Sequence, residues 1–322
     1  MQLAETDKPE ANQYPSRVVA WDKYASIRCK PRRVIHDFDI VGYFYPIDKQ
    51  PIADHPIIKK MSTSTIDYIL IQAAYKFMTD LAVVEVEMVN GICGKIYNKS
   101  INFNYTDEMR QDVLTIIIDE AHHALIAKDY MQQVEQFTGV KPLRRQVITE
   151  LAQTIEIFRQ EIKPERMPAY DLLCLCIGEN TFTNQLFEMA RAEAVNEFYH
   201  TVMTDHMLDE GRHQSILAYL LKYSWKQFDE ELKFSLGKIL PEFIYTYLKP
   251  DLQMIDDRLL LESLDLSESD INQIMNDIHV EHSHDRMKLT NPVYKNLMKM
   301  LDRVGILAHP GTRKEFSRYD LL

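Results

Sequence analysis

Glycine is scarce, with 9 among 322 residues, and the 4 cysteines are scattered as Cys29, Cys93, Cys174 and Cys176. So few glycines, beside 15 methionines, leave little material for the tight turns of a sheet-rich fold and favour helices. The cysteine spacing excludes a disulfide framework and makes a reducing cytoplasm the expected compartment. Cys174 and Cys176 lie in the apolar run LLCLCIG and read as small buried hydrophobes rather than as a metal pair. No apolar run reaches about 18 residues, so no helix is expected to span a membrane. The opening MQLAETDKPEANQYPS lacks a basic-then-apolar signal pattern. Positive charge is in deficit, 37 Lys and Arg against 48 Asp and Glu. The resulting net charge of −11 argues against nucleic acid or an anionic membrane as the main partner. Internal repeats and low-complexity segments are also missing.

What is present begins with proline. Pro9, Pro15, Pro31, Pro46, Pro51 and Pro56 prevent long helices in residues 1–60. VVAWDKYASIRC reads as a short helix, and FDIVGYFYPIDKQPIADHPII as an arm packed over the body, residues 61–322. From Ser64-Thr-Ile-Asp67, a helix start, a stripe runs Ile71, Ala74, Met78, Leu81, Glu85, Met88, Ile92. Glu85 is its single charge, and Glu87 falls on a more polar side. Thr106-Asp-Glu opens a second helix with acids in its first turn. One face of that helix carries Val113, Ile116, Glu120, His123 and Ala127, with His122 turned about 100° away. A third helix is expected from about Arg145 to Gln160. A fourth follows Pro168, with the stripe Leu172, Leu175, Cys176, Glu179, Phe182, Leu186.

The most informative stretch is His206-Met-Leu-Asp-Glu210-Gly-Arg-His213, inside an amphipathic run from about Ala192 to Lys222. Steps of four and then three residues return to one helix face, so His206, Glu210 and His213 project together, with apolar residues above and below. Buried unpaired, they would cost several kcal/mol, so they are expected to meet a metal or each other. Beyond this helix, Ser224-Trp-Lys-Gln227 reads as a capping box opening another, with Pro241 expected to break or kink it. Ser267 and Asn291-Pro292 mark two further starts, Gly305 a stop, and HPGTRKEFSRYDLL an irregular tail.

Glu-x-x-His occurs four times, as Glu120/His123, Glu197/His200, Glu210/His213 and Glu281/His284, where chance supplies about one. Glu197 and His200 turn about 140° off the His206 face. Glu281 and His284 sit in the polar HVEHSHD and read as surface. The other two matches stand at the centres of long apolar helices, and two more helices each carry one core carboxylate. This is the ligand recipe of a carboxylate-bridged di-metal site in a ferritin-like four-helix bundle. The expected fold is therefore all-α, with that bundle as core, additional helices and an irregular N-terminal arm. Carboxylates bridge two cations, imidazoles add nitrogen donors suited to iron, and four carboxylates balance two ferrous ions. The competing reading is a bundle whose buried Glu and His simply pair with one another.

His206 exceeds the six-ligand set, and the run His-x-x-x-Glu-x-x-His resembles the di-iron N-oxygenases of the p-aminobenzoate N-oxygenase (AurF) type. The entry segment FYPIDKQPIADHP is similar to that family's aromatic-Pro…Pro…His-Pro stretch, and the resemblance covers roughly residues 40–225. It implies seven ligands: Glu85, Glu120, His123, Glu179, His206, Glu210 and His213. It also implies two iron ions, with O2 bound as a peroxo-diferric species and its oxygen transferred to the nitrogen of a small-molecule amine, through the hydroxylamine toward the nitroso or nitro compound. An external electron donor and a homodimer belong to the same expectation. His206 as a hydrogen-bond partner of a six-ligand site is the alternative. Asp209 and Arg212 read equally as groups orienting the ligands or as a solvated pair. Two other functions remain open, a di-iron oxygenase acting at carbon and a ferroxidase without organic substrate.

Overall fold

The computed structural model of the protein describes residues 14–36, 41–145, 147–279 and 282–322. The arm holds α1 (Val18–Tyr24), α2 (Ser26–Cys29) and α3 (Pro51–Asp54). The body opens with α4 (Thr63–Val83), which passes through a π-helical segment, Val84–Val89, into α5 (Asn90–Tyr97). Then follow α6 (Asp107–Thr138), α7 (Glu150–Arg159), α8 (Met167–Met189) and α9 (Glu197–Gln227). The C-terminal part adds α10 (Glu230–Tyr247), α11 (Asp251–Glu262), α12 (Glu268–Ile278), α13 (His284–Thr290), α14 (Pro292–Val304) and α15 (Pro310–Arg318). The fold is all-α: among the described residues the only β-type pairing is a single bridge between Tyr43 and Val195.

The four long helices form the expected bundle, α4 against α6, α8 against α9, and α6 against α9. Their starts follow local chemistry. Ser62, Thr106 and Asn196 each accept a backbone N–H of the first turn, satisfying a donor that the helix leaves free. Two apolar clusters fill the bundle, one at each end. The first gathers Met109, Val113 and Ile116 of α6 with Leu172–Ile177 of α8 and Ile216–Leu221 of α9. The second gathers Ile69–Leu81 of α4 with Ala127–Val134 of α6 and Phe198–Met203 of α9. Between them lies one buried polar layer, and that layer holds the candidate site.

The arm lies along the bundle and is fastened carboxylate by carboxylate. Tyr14 and Ser16 donate to Asp112 at 2.5 and 2.9 Å, Trp21 to Asp119 at 2.8 Å, and Arg33 to Asp205 at 2.7 Å. The bridge at Tyr43 ties the arm to the chain just ahead of α9. Gly42 permits that approach: its φ is +108°, and a Cβ there would stand 2.8 Å from the Val195 carbonyl carbon. The FDI residues of the expected arm segment, and Glu281 of the polar Glu-x-x-His match, lie outside the described residues. Among the described residues, no helix is long and apolar enough to cross a membrane.

Several expected boundaries are corrected. The third helix begins at Glu150, not Arg145, because residues 143–145 are drawn onto α4: Leu143 N–H donates to Gln72, and Arg145 donates to the Lys76 carbonyl and to Asp80. Ser224 opens nothing. Its hydroxyl donates to the Leu220 carbonyl and meets the Tyr105 hydroxyl, α9 continues to Gln227, and Asp229 caps α10 instead. Pro241 sits inside an unbroken α10. The fourth helix begins at Met167, with Pro168 in its first turn, where a missing N–H costs nothing. The tail is helical as α15, capped by His309, started by Pro310 and anchored by the fully buried Phe316.

Thr312 of α15 seats against Gly237 of α10, where an added Cβ would stand 1.9 Å from the Thr312 hydroxyl oxygen. Gly237→Ala is therefore expected to destabilise the protein by about 1–3 kcal/mol through overpacking. Denaturant titration would measure the loss, and hydrogen exchange should show it concentrated in residues 310–318. Unchanged exchange there would refute the contact.

Candidate metal centre

Each of the seven singled-out side chains is buried in the polar layer. Glu85 comes from the π-helical segment, Glu120 and His123 from α6, Glu179 from α8, and His206, Glu210 and His213 from α9. The π turn was not legible in the sequence. Its extra residue leaves Met88, expected on the core stripe, only half-buried, while Val84, Glu85 and Val89 face inward. π turns recur at functional sites because they re-aim one side chain without ending the helix. Glu87 is exposed, as expected, and so is Glu197.

The seven side chains form two groups that share Glu210: Glu85, His123, His206 and Glu210, then Glu120, Glu179, Glu210 and His213. In each group the candidate donor atoms lie within 4.8 Å of one another. Bonds of about 2.0–2.2 Å, the zinc range for these donor types, place opposite ligands about 4–4.4 Å apart, so each group has the span of one coordination sphere. In the first group, His206 Nε2 lies 3.1 Å from Glu85 and 3.2 Å from Glu210, and the His123 and His206 rings stack at 3.8 Å. In the second, His213 Nδ1 lies 2.8 Å from Glu120, 3.4 Å from Glu210 and 3.5 Å from Glu179.

Orphaned polar atoms test the fit to a metal pair. Both Glu85 oxygens, one oxygen each of Glu120 and Glu179, His123 Nδ1, His206 Nε2 and His213 Nδ1 have no hydrogen-bond partner. Left so, each would cost about 1–3 kcal/mol, and these seven atoms converge in one layer. Burial pushes the Glu85 carboxyl up to about 7 against the pull of His206. It pushes Glu179 well above the usual carboxylate range, with the Glu210 charge adding to the effect. Burial acts the same way on Glu210, but His213 and His206 hold it well below that range. These are the marks of carboxylates crowded together, and cations would relieve the crowding. The residues present fit a pair of divalent ions.

A second ring of charge orients the donors. His123 Nε2 meets Asp209 at 3.1 Å and His213 Nε2 meets Asp119 at 3.0 Å. Arg212 donates to Asp119 at 2.6 Å and to Asp209 at 2.8 Å. A carboxylate accepts, so it fixes the proton on Nε2 and leaves the Nδ1 lone pair facing the site. Asp209 and Arg212 do form the i, i+3 pair, but it is buried rather than solvated, and Asp209 meets His123. Asp119 was missed in the sequence. The signal for it is there: Asp-Glu-x-x-His occurs on α6 as residues 119–123 and on α9 as residues 209–213, and each aspartate serves the histidine of the other helix.

A cavity of about 500 Å3 lies beside α4 and α8, with Lys76, Asp80, Glu150 and Glu188 among its lining side chains. Tyr45, Phe77, Leu81, Phe182, Met189 and Tyr247 supply apolar wall, while the starts of α7, α11 and α14 close its far side. Leu81 and Phe182 stand one turn from Glu85 and Glu179 on their helices.

A helical bundle with two such carboxylate and histidine groups sharing one glutamate defines a ferritin-like di-iron oxidoreductase. The family model for p-aminobenzoate N-oxygenase AurF matches residues 29–305, and the chain belongs to that family. Enzymes of this family are non-haem di-iron N-oxygenases, with two iron ions as cofactor and O2 as co-substrate. A search of curated proteins gives no match.

Replacing Asp119 with Asn keeps shape but removes the charge that orients His213. Iron affinity is expected to fall by about 10–100-fold, measured by anaerobic titration of ferrous ion into the metal-depleted protein. Undiminished affinity would show that Asp119 does not act through His213.

Proposed function

We propose that this enzyme oxygenates the nitrogen of an aromatic amine at an iron pair held by seven side chains. Glu85, His123 and His206 would hold one ion and Glu120, Glu179 and His213 the other, with Glu210 common to both groups. The observation that carries the reading is the sharing of Glu210 between two four-residue groups. His206 stands inside one group with its Nε2 turned to Glu85 and Glu210, which favours a ligand over a hydrogen-bond partner of a smaller set.

When bound, the iron pair supplies the activation of O2, which the protein has no side chain to perform. The chain supplies the rest. Asp119 and Asp209 hold protons on the outer nitrogens of His213 and His123, and Arg212 fixes both aspartates. The arene would enter the cavity lined by Phe77, Leu81 and Phe182, of which Leu81 and Phe182 stand one turn from Glu85 and Glu179 on their helices. This cavity also favours an organic substrate over ferroxidase action, which needs no such space. The amine is expected to be an aminobenzoate or a similar arylamine, oxidised through the hydroxylamine toward the nitro compound. An external electron donor, a homodimer and a reducing cytoplasm, suited to four unpaired cysteines, complete the proposal.

Anaerobic ferrous loading followed by desalting is the test. Wild type is expected to retain about two irons per chain, Glu210→Ala to lose both, and His206→Ala to lose iron or alter its reaction with O2. With loading established, O2 and 4-aminobenzoate or related arylamines should give hydroxylamine and nitro products by mass spectrometry. A wild-type stoichiometry near one or none would overturn the di-iron assignment. An intact iron pair that oxidises arylamines only at carbon would overturn the N-oxygenase reading.

A further inference from the structure

We propose that arm residues 17–33 are the electron port of this enzyme: an acidic one-electron carrier protein docks there, and Trp21, Asp119 and His213 conduct each electron inward. The proposal rests on the di-iron reading above and adds the route and the partner.

The route is a continuous line of contacts. Trp21 is half-buried on α1, and its indole N–H donates to Asp119 at 2.8 Å. The other oxygen of Asp119 meets His213 Nε2 at 3.0 Å, and His213 Nδ1 turns to the site. Asp119 already receives Arg212 and His213 on that oxygen, so Trp21 is not needed to hold it in place. The aspartate thus joins an aromatic ring near the surface to a candidate metal ligand at full burial.

The surface around Trp21 is rich in basic side chains. Residues 17–33 carry Arg17, Lys23, Arg28, Lys30, Arg32 and Arg33 against the single acid Asp22, in a protein of net charge −11. The Arg28 guanidinium stands 5.5 Å from the Trp21 ring. Lys30 and Arg33 both pair with Asp205; Arg28 and Arg32 pair with Asp22 and Asp129, yet their side chains remain 49% and 65% exposed, so these two pairs leave the cations open to a partner. Among them Val19 is 83% exposed and Tyr24 57%. Apolar side chains ringed by one sign of charge are what a transient, electrostatically steered encounter uses. An acidic carrier is attracted to these exposed cations on a chain whose net charge is otherwise negative, at −11 overall.

In each encounter the reduced carrier loses one electron and one ferric ion becomes ferrous, and two encounters restore the diferrous pair. No bond in the chain forms or breaks, and Trp21 bridges the transfer without itself being oxidised.

The test uses the iron-loaded, O2-oxidised protein and follows the bleaching of its ferric absorption by stopped flow. The probe is photoreduced plant-type [2Fe–2S] ferredoxin, with photoreduced deazaflavin as a small reductant that needs no docking. The double variant Lys23→Glu/Arg28→Glu is expected to slow the second-order reaction with ferredoxin by about tenfold or more, and to leave reduction by deazaflavin unchanged. In wild type the ferredoxin reaction should weaken with added salt. Trp21→Phe keeps a ring in place but lacks the N–H. It is expected to lower the limiting rate at saturating ferredoxin several-fold, with half-saturation, iron content and ferric absorption unchanged. A ferredoxin reaction indifferent to salt and to the charge reversal would overturn the port. So would an unaltered limiting rate in Trp21→Phe, or loss of iron there, which would make Trp21 a positioning residue for His213 alone. A wild type without an iron pair would sink the metal reading and the port together; an iron pair with such indifferent kinetics would sink the port alone.

Discussion

Four carboxylates held in one buried layer repel one another, and the surrounding structure is arranged to contain that repulsion. Three histidines stand among Glu85, Glu120, Glu179 and Glu210, and Asp119, Asp209 and Arg212 stand behind two of them. The apolar clusters on either side keep water out, which strengthens every charge interaction in the layer. Without compensating cations such a layer opposes folding, so the bundle and the ions it is built to hold are thermodynamically one system.

The reciprocal use of two aspartates gives that layer its rigidity. Asp119 on α6 holds His213 on α9, Asp209 on α9 holds His123 on α6, and Arg212 joins the two aspartates. Sliding α6 against α9 by one residue, about 1.5 Å, would disturb both contacts at once. The arm adds further fastening from outside, since Trp21 and the Ser26 backbone N–H reach the same two aspartates.

The bundle was legible in the sequence because a charge that interrupts an apolar stripe at helical spacing is costly to bury and has to meet a partner. Glu120, His123, Glu210 and His213 announce themselves by local motif, and Glu85 and Glu179 by isolation on an apolar face. Asp119 was hidden because it reads as an ordinary helix-surface acid until the partner helix is in place. The Arg145 and Ser224 boundaries failed for a related reason: side chains that resemble helix starts found tertiary partners, Asp80 for one and Tyr105 for the other. The tail read as irregular, whereas Pro310 begins a helix there and Phe316 anchors it.

The π-helical segment at Val84–Val89 has a consequence of another kind. A π turn accommodates one residue more than the α-helix around it, so it behaves as a single-residue insertion that the helix absorbed without breaking. Deleting one residue there would rejoin α4 and α5 as one regular rod while rotating one half by about 100° against the other. Glu85 would then leave the face it occupies although its neighbours in sequence were unchanged. Any comparison of this helix with another bundle must allow a gap in the middle of a continuous helix, where gaps are ordinarily forbidden, or it will pair Glu85 with the wrong residue.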